Sequence, residues 1–152
     1  MNPRLDRRSF VGLLALAAVP VRAADPLPPV EVYKSPSCGC CGAWVEHLKA
    51  AGFAVGVTPV DDTTAARRRL GMPDAYGACH TATVGRHVVE GHVPAAEIKR
   101  LLAANSPALG LAVPGMPPGS PGMEVGARQD PYQVFLIDRS GRATVFARYP
   151  KG

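Results

Sequence analysis

Eleven of the 27 residues between positions 105 and 131 are proline or glycine. Proline fixes φ and lacks an amide hydrogen, and glycine loses more backbone freedom on ordering than any other residue. Neither a helix nor a regular strand is therefore expected in this stretch. The regular layers must come from the residues on either side of it. Leu109, Leu111 and Val113 should still pin its first part to the core. A structureless connection longer than about 12–15 residues in a compact domain is usually functional or disordered.

On the N-terminal side the pattern is regular. Val30–Lys34 reads as a strand, and Pro36 and Ser37 turn the chain. From Gly39 to Ala51 the apolar residues Cys41, Trp44, Val45 and Leu48 recur at helical spacing, and Gly52 stops the helix. Phe53–Val60 alternates as a second strand. Asp61 or Asp62 caps a second helix that runs to Leu70, with Gly71 as its stop. Thr81–Val84 and His87–Glu90 are short strands joined at Gly85-Arg86, which suits a type II′ turn. Pro94 opens a third helix through Ala103, with Ile98, Leu101 and Leu102 on its buried stripe. After the Pro/Gly stretch, Tyr132–Asp138 and Arg142–Arg148 read as a hairpin whose sheet edge is open. The order up to Ala103 is βαβαββα, an α/β arrangement of the thioredoxin-like kind, with the first two strands expected to be parallel.

The N-terminus reads as a targeting segment. Arg7-Arg8 precede a 12-residue apolar run, Phe10 to Val21, and then Val21-Arg22-Ala23 with small residues suited to cleavage. About 20 residues are needed to span a bilayer, so no permanent membrane anchor is expected. The expected organisation is a signal peptide over 1–23 of the twin-arginine type, a linker over 24–29 and one domain over 30–152, exported to the periplasm. Removing 1–23 takes away four arginines and one aspartate. That leaves 13 basic against 11 acidic residues, so the basic balance belongs largely to the signal. Arg67-Arg68-Arg69, without interleaved aromatics, reads as a solvated helix face, and no nucleic-acid partner is expected.

The chemistry is concentrated in the cysteines. Cys38, Cys40 and Cys41 fall within four residues, where a strand turns into a helix, and Cys79 is followed at once by His80. An exported chain with an even number of cysteines suggests disulfides. Yet a bridge inside the triplet closes a very small loop, which stabilises least. The triplet reads instead as reactive or metal-binding. A helix N-terminus favours thiolate, the form that attacks disulfides and binds metal. Thioredoxin-like proteins carry a cis-proline opposite that helix, whereas this chain has Gly77-Ala78-Cys79-His80 there. This tilts the site towards metal, and towards Cu(I) among thiolate-loving ions, with zinc as the alternative. Met116 and Met123 lie in the Pro/Gly stretch, where helical packing does not explain them; a loop folded back could bring a thioether to the site. His92, just before the third helix, is a candidate ligand or supporting residue, and His47 and His87 read as surface or strand histidines. No nucleophile elbow, phosphate loop or dinucleotide fingerprint occurs.

Four segments in order, Val32–Val45 with its CxCC, Ala78-Cys-His-Thr81, Val89-Glu-Gly-His-Val-Pro94 and Val113–Glu124, resemble a bacterial family of predicted metal-binding proteins. That family was long described as a domain of unknown function and includes the CopG-type copper-resistance proteins. The resemblance runs from about Val30 to Tyr149. It implies a periplasmic, thioredoxin-like protein of copper handling. Cys38, Cys40, Cys41 and Cys79 would be the copper-thiolate set, and His80, Met116, Met123 and His92 further contributors. Other periplasmic copper-handling proteins would be its partners. The rival expectations are a thiol–disulfide oxidoreductase using Cys38 and Cys41, and a structural zinc module.

Overall fold

The computed structural model describes residues 26–151. The expected signal peptide and the first two residues of the linker lie outside the described residues. The chain forms β1 (Val30–Lys34), α1 (Gly39–Ala50), β2 (Val55–Pro59), α2 (Thr63–Arg69), β3 (His80–Val84), β4 (His87–Glu90), α3 (Ala95–Ala103), β5 (Gly110–Ala112), β6 (Tyr132–Ile137) and β7 (Ala143–Tyr149). A single 3-10 turn, Asp74–Tyr76, lies between α2 and β3. The strands make one mixed sheet in the order β2-β1-β3-β4-β5-β6-β7. β1/β2 and β4/β5 are parallel; the other four pairs are antiparallel.

Strand alternation sends side chains to two faces. One face and the helices against it bury Val30, Val32, Trp44, Val45, Leu48, Ala82, Val84, Val89, Ile98 and Leu101. A smaller cluster of Met72, Val88, Ala112 and Ile137 forms a second core. α2 begins where Asp62 Oδ1 accepts from the amides of Thr64 and Ala65, an N-cap of the kind that contributes about 1 kcal/mol. At the β3–β4 turn Gly85 takes φ +54° and Arg86 stays out of the left-handed region, as a type II′ turn requires.

Two expectations are corrected. The Pro/Gly stretch does contain a strand. β5 pairs in parallel with β4, and a Cβ at position 110 would fall on the Val88 carbonyl, so the glycine is what permits the approach. Through β5, the hairpin β6–β7 extends the main sheet at the edge that the sequence left open. The arginine run is not a uniformly solvated face: Arg67 is 6% exposed and paired with Glu90, while Arg68 faces solvent beside Asp74. His87 is the strand histidine that the sequence allowed for: it opens β4 and is buried there, with Nδ1 3.1 Å from the Ala108 carbonyl.

Candidate metal centre

Cys38 is the N-cap residue of α1, and Cys40 and Cys41 belong to its first turn. Cys41 is fully buried and Cys40 partly so. Antiparallel pairing of β1 with β3 sets Lys34 opposite His80, so the chain enters β3 beside the loop that leads into α1. Cys79 thereby arrives at the triplet. Its Sγ stands 3.5 Å from Cys41 Sγ and 3.9 Å from Cys40 Sγ. Cys40 Sγ is in turn 3.5 Å from Cys38 Sγ. All four sulfurs lie within 4.8 Å of one another. Cys38 and Cys41 are joined as a disulfide, and Cys40 and Cys79 are free thiols.

Imidazoles close the other side. Cys79 Sγ, His80 and His92 form a second group with donor atoms within 4.8 Å. His92 Nδ1 is 2.8 Å from the Pro121 carbonyl and its Nε2 is 3.2 Å from Cys79 Sγ. A carbonyl only accepts, so Nδ1 carries the proton and Nε2 turns its lone pair towards the sulfur. His80 Nδ1 lies 3.4 Å from Cys79 Sγ, and its Nε2 is buried without a partner among the described residues. The His80 ring packs 4.4 Å from Trp44 and 5.0 Å from His92. Burial, aided by the neighbouring His92, pushes His80 down to about 3, and burial also lowers His92. Both rings are thus neutral, the state in which imidazole binds metal. Burial, reinforced by Cys40, pushes the Cys79 thiol up to about 12. The thiol therefore keeps its proton at neutral pH in the metal-free protein.

The Pro/Gly stretch does fold back over the cluster. A Cβ on Gly122 would meet the Trp44 amide nitrogen at 2.7 Å and the Cys40 carbonyl oxygen at 2.9 Å. The loop backbone therefore rests on the first turns of α1. Gly122 takes φ +83°, and its amide donates to Glu124 Oε2 at 2.7 Å. Met123 follows directly and is partly buried; Met116 is exposed over half its surface. His47 lies away from the sulfurs, accepting the Ala95 amide at the start of α3. The support from Pro121, Gly122 and Glu90 was not foreseen. A carbonyl partner leaves no sequence signal, but Glu90 is part of the EGHVP segment and could have been marked by it.

A family model described as "Protein of unknown function, DUF411" matches residues 76–123. It takes in Cys79, His80, His92 and both loop methionines, but not the CxCC triplet. Two solved structures extend the likeness over the triplet. "Copper resistance protein copG- Form 2" is 49% identical with a TM-score of 0.78, and the alignment covers 83% of this chain and 100% of that one. "Copper resistance protein copG- Form 1" is 49% identical with a TM-score of 0.76, covering 82% and 99%. The chain belongs to the CopG family. No curated protein matches it. Among the described residues, no CopG-family helix here is long and apolar enough to cross a membrane.

Proposed function

We propose that this chain is an exported, periplasmic copper-binding protein of copper resistance that holds Cu(I) through Cys38, Cys40, Cys41 and Cys79. The observation that carries the reading is the gathering of four sulfurs within 4.8 Å. Two donors each about 2.3 Å from one ion stand no more than about twice that apart, so the spacing fits shared ligation. Sulfurs this close could also bridge more than one ion. His92 Nε2 is directed at Cys79 Sγ, with His80, Met123 and Met116 as further candidates. Soft thiolates favour Cu(I) over zinc, and the family's copper-resistance members point the same way. The mature domain would be 30–152, with β1 to α3 as a thioredoxin-like core. The parallel β1/β2 pair, the antiparallel β3/β4 pair and the cysteines at the α1 N-terminus support that.

The Cys38–Cys41 disulfide suggests a redox step with copper as substrate. The reduced dithiol gives up two electrons and two protons to become the disulfide, and two Cu(II) ions each take one electron to become Cu(I). The oxidised state leaves Cys40 and Cys79 as thiols, a smaller donor set. Anaerobic titration of the reduced protein with Cu(I) against a high-affinity chromophoric chelator tests the binding. The wild type should compete for the ion, and Cys79→Ser should compete less well. A reduced wild type that takes no Cu(I) from the chelator would sink the proposal.

The same disulfide favours a second reading, a thiol–disulfide oxidoreductase working through Cys38 and Cys41. Cys40 and Cys79 crowd the position a substrate disulfide would need. Metal-free protein that reduces disulfide substrates, with activity lost in Cys38→Ser and kept in Cys79→Ser, would select this reading instead.

A further inference from the structure

Glu90 is the charged member of the EGHVP segment, which the metal-binding reading does not use, and it lies on the opposite face of the sheet from His80. It is fully buried. Its Oε1 accepts from the Ala78 amide at 2.7 Å and from Arg67 Nε at 2.9 Å. The same guanidinium donates to the Ala78 carbonyl at 3.1 Å and reaches Asp74 Oδ1 at 3.4 Å. Both the amide and the carbonyl of Ala78, the residue before Cys79, are therefore held by one buried ion pair.

Neighbouring backbone completes the clamp. A Cβ on Gly77 would meet the Arg67 guanidinium at 2.8–3.1 Å. A Cβ on Gly91, which takes φ +70°, would collide with the Val113 carbonyl and stand 2.6 Å from Ala78 Cβ. The Gly115 amide donates to the Gly77 carbonyl at 3.0 Å, and the Val113 amide to the Glu90 carbonyl at 3.0 Å. α2, β4 and the Pro/Gly stretch thus converge on residues 77–78.

A buried ion pair adds little net stability over an apolar pair of the same volume. The second carboxylate oxygen of this one is only loosely held: Glu90 Oε2 and Thr81 Oγ1 face each other across the β3–β4 register, and neither makes a well-formed hydrogen bond among the described residues. Its geometry does something an apolar pair could not, because it grips main-chain polar groups next to a sulfur. We propose that Arg67 and Glu90 are positioning residues that fix the 77–79 backbone so that Cys79 faces the Cys38-Cys40-Cys41 turn. The proposal rests on the reading of Cys79 as a copper ligand. It predicts that loosening the clamp weakens copper binding through Cys79 alone.

The test is Cu(I) competition on the reduced full-length chain in four forms: wild type, Glu90→Gln, Cys79→Ser and the double variant. Near-ultraviolet circular dichroism confirms folding, and X-ray absorption counts copper–sulfur bonds. Supporting groups of this kind typically change metal affinity by about 10–100-fold. Folded Glu90→Gln should lose that much and show fewer copper–sulfur bonds. Adding it to Cys79→Ser should cost almost nothing further, since the two act on one contact. A Glu90→Gln protein that binds as the wild type does, or a loss that simply adds to that of Cys79→Ser, overturns the proposal. If Cys79→Ser itself binds like the wild type, the ligand reading falls first and the positioning role with it. Should Glu90→Gln not fold, Arg67→Lys is read by the same criteria, because it keeps the charge but cannot reach Glu90 and the Ala78 carbonyl together.

Discussion

His80 carries a pH dependence that its surroundings make directional. Buried between Trp44 and His92, it stays neutral in the folded protein down to about pH 3. In the unfolded chain it takes a proton near pH 6.5. Its folded pKa is lowered, so the unfolded state binds more protons between those values, and stability falls as pH drops below about 6.5. The slope from this group is about 1.4 kcal/mol per pH unit. Denaturant unfolding of the metal-free protein at pH 7 and pH 5 should show that loss, and His80→Phe should lessen it. An equal pH dependence in His80→Phe would refute the assignment. At Gly122 the prediction is steric. Gly122→Ala adds a methyl against the Trp44 amide and the Cys40 carbonyl at a left-handed φ. A destabilisation of about 1–3 kcal/mol is expected, with faster alkylation of Cys79 as the loop lifts. Unchanged alkylation would mean that the loop does not shield the thiol.

At the scale of elements, β5 is the joint between two halves of the sheet. Only three residues long, it connects β4 to the hairpin β6–β7. Gly110→Ala places a methyl on the Val88 carbonyl. Amide exchange should then speed up across β6 and β7 while β1 and β3 keep their protection; uniform protection in the variant would contradict this. The end of β7 is tied down separately. Glu97, 1% exposed on α3, accepts from the Tyr149 hydroxyl at 2.7 Å and from Lys151 Nζ at 2.8 Å. Tyr149→Phe should cost about 1.5–3 kcal/mol, the usual range for a hydrogen bond to a charged group, read as a lowered denaturation midpoint. The first seven elements were legible because apolar period, caps and turn residues agreed locally, as with Asp62 and Gly85-Arg86. β5 was not, because its one requirement, room for a carbonyl of another strand, comes from Val88 far along the chain. Arg67 was misread for the same reason: its pairing partner lies on β4, and no helical periodicity reports it.

For the molecule as a whole, the sheet and its two cores do not depend on the Cys38–Cys41 bridge. The chain-entropy model assigns so small a loop at most about 2 kcal/mol. Reduction should therefore leave the protein folded with only a modest drop in thermal midpoint, and loss of structure on reduction would contradict that. Of the candidate site, the cysteines and histidines that the fold gathers were readable, because sulfur and imidazole chemistry is written in residue types. The enclosure was not legible, because it is made of main chain: the Pro121 carbonyl that orients His92 and the Gly122 backbone that rests on α1. That has a consequence for biosynthesis. The wall over the sulfurs is translated long after the cysteines it covers, so a chain still on the ribosome, or one cut short before position 121, would offer its thiols to any oxidant or stray ion nearby. Sealing the pocket must wait until the Pro/Gly stretch has been made and has settled on α1.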